Sequence, residues 1–78
     1  LTTKEDLIRF VQDRITQLNE LSPIVYNLGI ESNGYYLLEF KQNSEAKQWF
    51  YSMETKDLNR IYVVIDNIIG HYRLLEID

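Results

Sequence analysis

Apolar residues recur at helical steps over the first twenty positions. In TTKEDLIRFVQDRITQLNEL, Ile8, Val11, Ile15 and Leu18 fall three or four apart, and Leu7, Phe10 and Leu21 widen the stripe. Thr2 or Thr3 can cap the first turn, which carries the acids Glu5 and Asp6. Ser22-Pro23 ends the pattern, because the residue before proline avoids the α region. The spacing predicts an amphipathic helix over about residues 3–21, with mixed charge on its polar face and none of the basic excess that membrane-surface helices use.

From Pro23 the period drops to two. Ile24, Tyr26, Leu28 and Ile30 alternate with other residues, and Tyr36, Leu38 and Phe40 do so again after Asn33-Gly34, which predicts two strands joined by a hairpin. A two-residue Asn33-Gly34 loop would set Leu28 against Glu39 and Tyr26 against Lys41. A three-residue loop, Ser32-Asn33-Gly34, sets Ile30, Leu28 and Tyr26 against Tyr36, Leu38 and Phe40 and gives Gly34 the left-handed position, so this register is preferred. Beyond it, Ser44 is a good N-cap, Glu45 sits in a first turn, and Ala46, Trp49, Phe50 and Met53 lie at i, i+3, i+4 and i+7. These residues predict a second, shorter helix, with its aromatics in the core.

Residues 61–77, IYVVIDNIIGHYRLLEI, fit both periods. As a helix, Leu58, Ile61, Ile65, Ile68, Tyr72 and Leu75 form a stripe at three- and four-residue steps. As a hairpin around Ile68-Ile69-Gly70, Val63 pairs with Leu75 and Ile61 with Ile77. β-Branching is dense through 61–69, and Gly70 inside a helix costs about 1 kcal/mol. The sequence GYYLLEF after the first turn is echoed by GHYRLLEI after the second. The hairpin is preferred on these grounds. The resulting expectation is one α+β domain over residues 1–78 with the order αββαββ, a four-stranded, mostly antiparallel sheet and both helices on one face. The alternative is αββαα with a C-terminal helix.

In the preferred arrangement Ile24, Tyr26, Leu28, Ile30, Tyr36, Leu38, Phe40, Ile61, Val63, Ile65, Leu75 and Ile77 point to the helices. The opposite face then carries Val25, Tyr35, Leu37, Tyr62, Val64, Tyr72 and Leu74, diluted by Asn27, Gly29, Glu39, Lys41, Asp66 and Glu76. A one-sided antiparallel sheet alternates more cleanly than this, so the outer face is expected to be covered by a partner.

Composition narrows the possibilities. Seventy-eight residues, 45% of them hydrophobic, with three Gly and one Pro, describe a small packed domain that must hold without disulfides, because the chain has no Cys. No apolar run approaches the roughly 20 residues that span a bilayer, and no signal-peptide pattern opens the chain. Residue 1 is Leu rather than Met, so the sequence leaves room for an upstream segment, and a cytoplasmic location is only the default. Eight Lys and Arg against twelve Asp and Glu give a net charge of −4, and the basic residues are scattered. Phosphate binding depends on concentrated positive charge, so a nucleic-acid binder is disfavoured.

Catalytic motifs are missing from the sequence. His71 is the one histidine, and no phosphate-binding glycine loop or metal-ligand spacing occurs, so neither enzyme activity nor a cofactor is expected. The expected function is a small acidic interaction or regulatory module. Its partner-binding residues would be Tyr35, Leu37, Tyr62, Val64, Tyr72 and Leu74, and its partner another protein or a second copy of itself, a homodimer. The alternative is a single-strand nucleic-acid binder stacking bases on Tyr35, Tyr62 and Tyr72.

Overall fold

The structure is a computed structural model that describes residues 3–42 and 47–76. Among these residues five elements follow one another: α1 (Lys4–Leu21), β1 (Val25–Glu31), β2 (Gly34–Gln42), β3 (Lys47–Thr55) and α2 (Leu58–Leu75). The three strands form one antiparallel sheet in the order β1-β2-β3. The class is α+β, as expected, but the order is αβββα rather than αββαββ, and the sheet has three strands rather than four.

The first helix forms where its pattern placed it. Thr3 is its N-cap: its hydroxyl accepts from the Asp6 N–H at 3.1 Å, and the Asp6 carboxylate accepts from the Thr3 N–H, a reciprocal pair that satisfies two otherwise free donors. Val11, Ile15 and Leu18 are buried on one face, and the Ser22 N–H closes the last turn on the Leu18 carbonyl.

Residues 47–55 form a strand, not the predicted helix; the proposed cap at Ser44 and the helix start at Glu45 and Ala46 lie outside the described residues. The helical appearance has a physical source. Between Leu37↔Met53 and Leu38↔Tyr51 the register shifts by one, leaving Ser52 as an extra residue in β3. A bulge breaks strict alternation, so Phe50 and Met53, three apart, both turn to the helix side of the sheet, and their spacing imitates a helix.

Residues 58–75 form one continuous helix, which removes the predicted hairpin with its Ile61–Ile77 and Val63–Leu75 pairs; Ile77 itself lies outside the described residues. Burial outweighs propensity here. Ile61, Ile65 and Ile69 are 0–2% exposed, and each fully buried side chain of this size contributes about 1.5–3 kcal/mol. Unfavourable helix propensity subtracts at most about 0.7 kcal/mol per ordinary residue. Asp57 caps the start by accepting from the Asn59 N–H at 3.0 Å. Gly70 faces open space, with nothing near the position of an added Cβ.

The first hairpin has a third register, neither of the two weighed. Its loop is Ser32-Asn33, and Ile30 pairs with Tyr35, Leu28 with Leu37 and Tyr26 with Glu39. Gly34 just after the loop has φ +153°, and a Cβ there would lie 2.9 Å from the Thr55 carbonyl oxygen, so both backbone and space demand glycine. Relative to the expected register every β2 side chain changes face. Tyr35 and Leu37 turn into the core, while Tyr36, Leu38 and Phe40 turn out.

Both helices lie on the same face of the sheet. Arg14 of α1 meets Tyr62 and Asp66 of α2, and Ser22 meets Tyr72, so the helices run side by side in the same direction. Between helices and sheet sits a single core of Val11, Ile15, Leu18, Tyr26, Leu28, Tyr35, Leu37, Leu58, Ile61, Ile65 and Ile69. The backbone is only 15 Å deep in its thinnest direction, enough for one sheet and one helix layer. Nothing among the described residues forms a third layer over the far side of the sheet.

Candidate functional site

That uncovered side is where the apolar residues without a core role collect. Alternation along β1 and β2 places Val25, Tyr36, Leu38 and Phe40 on it, and the pairs Phe40↔Trp49 and Leu38↔Tyr51 add Trp49 and Tyr51 from β3. Two cross-strand aromatic contacts organise the surface. Tyr36 and Tyr51 have ring centroids 4.7 Å apart at 46°, and Phe40 and Trp49 lie 5.2 Å apart at 59°. Gly29 makes this possible on β1, since a Cβ there would come within 3.3 Å of Leu38 Cδ1 and Tyr36 Cβ. With that space, the Leu38 side chain leans over Gly29, while the Tyr36 ring turns to Tyr51 on β3.

Exposure is graded across this face. Tyr36 is buried beneath its neighbours, Leu38 and Phe40 are half-buried, and Val25, Trp49 and Tyr51 remain 45%, 45% and 67% exposed. The Tyr36 hydroxyl donates to Asn33 Oδ1 at 3.2 Å or to Glu54 Oε1 at 3.4 Å. Its pKa is pushed above the ordinary phenol value, mainly by burial. Among the described side chains the charged positions of the face are Glu31 and Glu54, both acidic. The surface is therefore a floor of aromatic and aliphatic groups with acids at the end near the first hairpin.

The six partner-binding residues expected from the sequence do not form this surface. Tyr35 and Leu37 are core, 9% and 1% exposed, on the helix side of β2. The other four belong to α2. Tyr62 is half-buried and accepts from Arg14 Nε at 3.5 Å, and Arg14 also pairs with Asp66 at 2.9 Å. Tyr72 is half-buried, its hydroxyl within 3.4 Å of Ser22 Oγ. Val64 is half-buried beside Met53, and Leu74 is 68% exposed on the helix. Tyr35, Tyr62 and Tyr72 accordingly share no stacking platform. Of the residues assigned inward, Tyr36, Leu38 and Phe40 face out, while Val63 and Leu75 on α2 are 54% and 60% exposed. The expectation of an apolar outer face matches the surface seen, but of the apolar residues expected on it only Val25 is there. The missed signal was the alternation Trp49, Tyr51 read together with Tyr36, Leu38, Phe40.

At the other end of the helix side, Glu39 and Lys41 are 3.6 Å apart, and Lys41 Nζ lies 5.5 Å from the Phe50 ring centre. The Tyr26 phenol nearby is pushed above its ordinary pKa, first by burial and then by the Glu39 charge. Among the described residues no group of three or more His, Asp or Glu is placed to hold a metal, and His71 is exposed on α2. No helix among them is long and apolar enough to cross a membrane. Comparison with protein-family models, with curated proteins and with solved structures found no significant match, so function must be read from the surface itself.

Proposed function

We propose that this domain is a non-enzymatic protein-interaction or regulatory module whose open sheet face receives a protein partner. One observation carries the reading: Val25, Leu38, Phe40, Trp49 and Tyr51 form a contiguous apolar surface on the side of the sheet that no helix among the described residues covers. Trp and Tyr are the residue types that most often anchor interfaces, because a large rigid side chain gives up little conformational freedom on binding. With Glu31 and Glu54 at its end, the face suits a partner with an apolar centre and basic residues opposite those acids. Exposed aromatics on a sheet can also stack nucleobases, but the same two acids repel phosphate, which favours protein over nucleic acid.

The test is quantitative affinity capture from the native cell with four forms of the chain. Trp49→Glu and Tyr51→Glu should each weaken partner retention at least fivefold, about 1 kcal/mol, while leaving the unfolding midpoint within a few degrees of wild type. Leu74→Glu, exposed on α2, should leave retention unchanged. Equal retention by the wild type and both face variants would refute the proposal. So would saturable binding of a single-stranded oligonucleotide at low salt that both face variants abolish.

A further inference from the structure

Among the described residues β1 and β3 are the edge strands of the sheet, and the two edges are finished differently. At the β1 edge Asn19 reaches across from α1 with both ends of its amide: the Tyr26 N–H donates to Asn19 Oδ1 at 2.8 Å, and Asn19 Nδ2 donates to the Tyr26 carbonyl at 3.0 Å. The Leu28 N–H donates to Asn27 Oδ1 at 2.9 Å. Side chains thus occupy the main-chain groups an added strand would need, a common way of closing an edge.

These bonds also fix the phase of the whole sheet. Tyr26 and Leu28 turn their main-chain groups away from β2, so by antiparallel alternation Tyr35, Leu37, Glu39 and Lys41 turn theirs towards β3. Their partners Thr55, Met53, Phe50 and Gln48 are bonded inward, which leaves Trp49 and Tyr51 with N–H and C=O directed away from the sheet. No clamp like Asn19 is present on β3 among the described residues. The bulge at Ser52 bends the second half of the strand out of line, so the open stretch is centred on Phe50. Gln48, Trp49, Phe50, Tyr51 and Ser52 are all exposed.

We infer that this edge is completed by a second copy of the chain, with the two β3 strands pairing antiparallel about a two-fold axis at Phe50 to make a continuous six-stranded sheet. The occupant must be a strand, because what the edge offers is main-chain donors and acceptors two residues apart. β3 itself offers the same set, and a two-fold rotation at Phe50 sets Trp49 against Tyr51 of the second copy and Tyr51 against its Trp49, each a hydrogen-bonded pair. Side chains agree with the backbone. The rows Phe40–Trp49 and Tyr36–Tyr51 on the open face run on into the second copy's aromatics, and Phe50, 37% exposed on the helix side, meets its own equivalent.

Area sets the strength. Trp49, Phe50 and Tyr51 are 45%, 37% and 67% exposed, and aromatic side chains of 150–250 Å² each then offer roughly 300 Å² of apolar surface per copy. An apolar groove beside the edge, containing Met53, Val63 and Val64, adds to it. The total stays below the roughly 1,200 Å² of standard stable complexes, so the dimer is a weak, concentration-dependent one. Each copy carries −4, so added salt strengthens it by screening the repulsion.

This inference does not rest on the open-face proposal; it concerns the edge, and its test separates the two. Sedimentation of the wild-type chain from about 5 µM to about 1 mM should show a monomer–dimer equilibrium favoured by salt, with amide exchange at Trp49 and Tyr51 slowing as the dimer fills. Because the chain has no Cys, Phe50→Cys introduces one thiol per copy. At a directly opposed, non-hydrogen-bonded pair the Cα atoms lie about 4.5 Å apart, within disulfide range, so mild oxidation should give a covalent dimer that reductant reverses. Ser32→Cys, in the hairpin loop, should stay monomeric under the same oxidation. A monomer throughout that range would overturn the inference. A dimer in which the Trp49 and Tyr51 amides exchange as in the monomer would also overturn it, pointing to face-to-face packing and leaving the open-face proposal standing. The amide measurement uses the unaltered chain and decides the matter even if Phe50→Cys fails to fold.

Discussion

Asn19→Ala removes one side-chain amide and with it two hydrogen bonds, at 2.8 and 3.0 Å, that tie α1 to the backbone of β1. Each such bond is worth about 1 kcal/mol net, so the loss should be about 2 kcal/mol, and somewhat more where the Tyr26 main-chain groups stay shielded from water. Against a total of about 4–12 kcal/mol for a domain of this length, that is a substantial fraction. With a urea slope of about 1 kcal/mol per molar, the denaturation midpoint should fall by about 2 M at unchanged slope. Asn19→Asp separates the two bonds. Its carboxylate still accepts from the Tyr26 N–H but faces the carbonyl with a like partial charge, so at neutral pH it should be at least as damaging as alanine. Protonation restores a donor, and the folded variant takes up that proton at higher pH than the unfolded chain does, so relative to wild type the Asp variant should recover as pH falls towards about 4 and keep that gain below it. A midpoint shift under about 0.5 M for Asn19→Ala, or an Asp variant with no such recovery, would refute the reading of Asn19 as the closure of the β1 edge.

Three further outcomes can be measured on the isolated domain. Gly70→Ala, at an exposed helix position with nothing near the added methyl, should stabilise by about 1 kcal/mol and raise the melting temperature by about 4–8 °C in calorimetry. Gly34→Ala should do the reverse and lower stability by about 1–3 kcal/mol, because φ +153° and the Thr55 carbonyl 2.9 Å away both oppose a Cβ. The raised Tyr26 phenol pKa means that the folded state holds its proton more tightly than the unfolded chain. Its contribution is complete below the unfolded value near pH 10 and is lost as pH rises through the folded value, so Tyr26→Phe should flatten the alkaline loss of stability followed by urea titration.

Local signals in the sequence were enough to place the first three elements. The capping pair Thr3 and Asp6, the three- and four-residue spacing of Ile8, Val11, Ile15 and Leu18, and the stop at Ser22-Pro23 act within a few residues of one another, so α1 can be read without its surroundings. The alternation on either side of Ser32-Asn33 likewise marks β1 and β2. An apolar outer face of the sheet was also legible, because there are more apolar residues in the strands than one face can hold.

The register of the first hairpin and the identity of both C-terminal elements were decided by tertiary structure. A shift of one residue in the turn moves Tyr35 and Leu37 into the core and Tyr36, Leu38 and Phe40 onto the open face, and both sets are equally apolar in sequence. In β3 the Ser52 bulge puts Phe50 and Met53 on one face at a spacing of three, so the period alone misleads. In α2 the β-branched residues favour a strand locally, but Ile61, Ile65 and Ile69 can be buried together only on one side of a helix lying against α1 and the sheet. Propensity differs by tenths of a kilocalorie per residue and burial by whole ones. Where the two disagreed, burial against α1 and the sheet prevailed, and those neighbours are not visible in the local sequence.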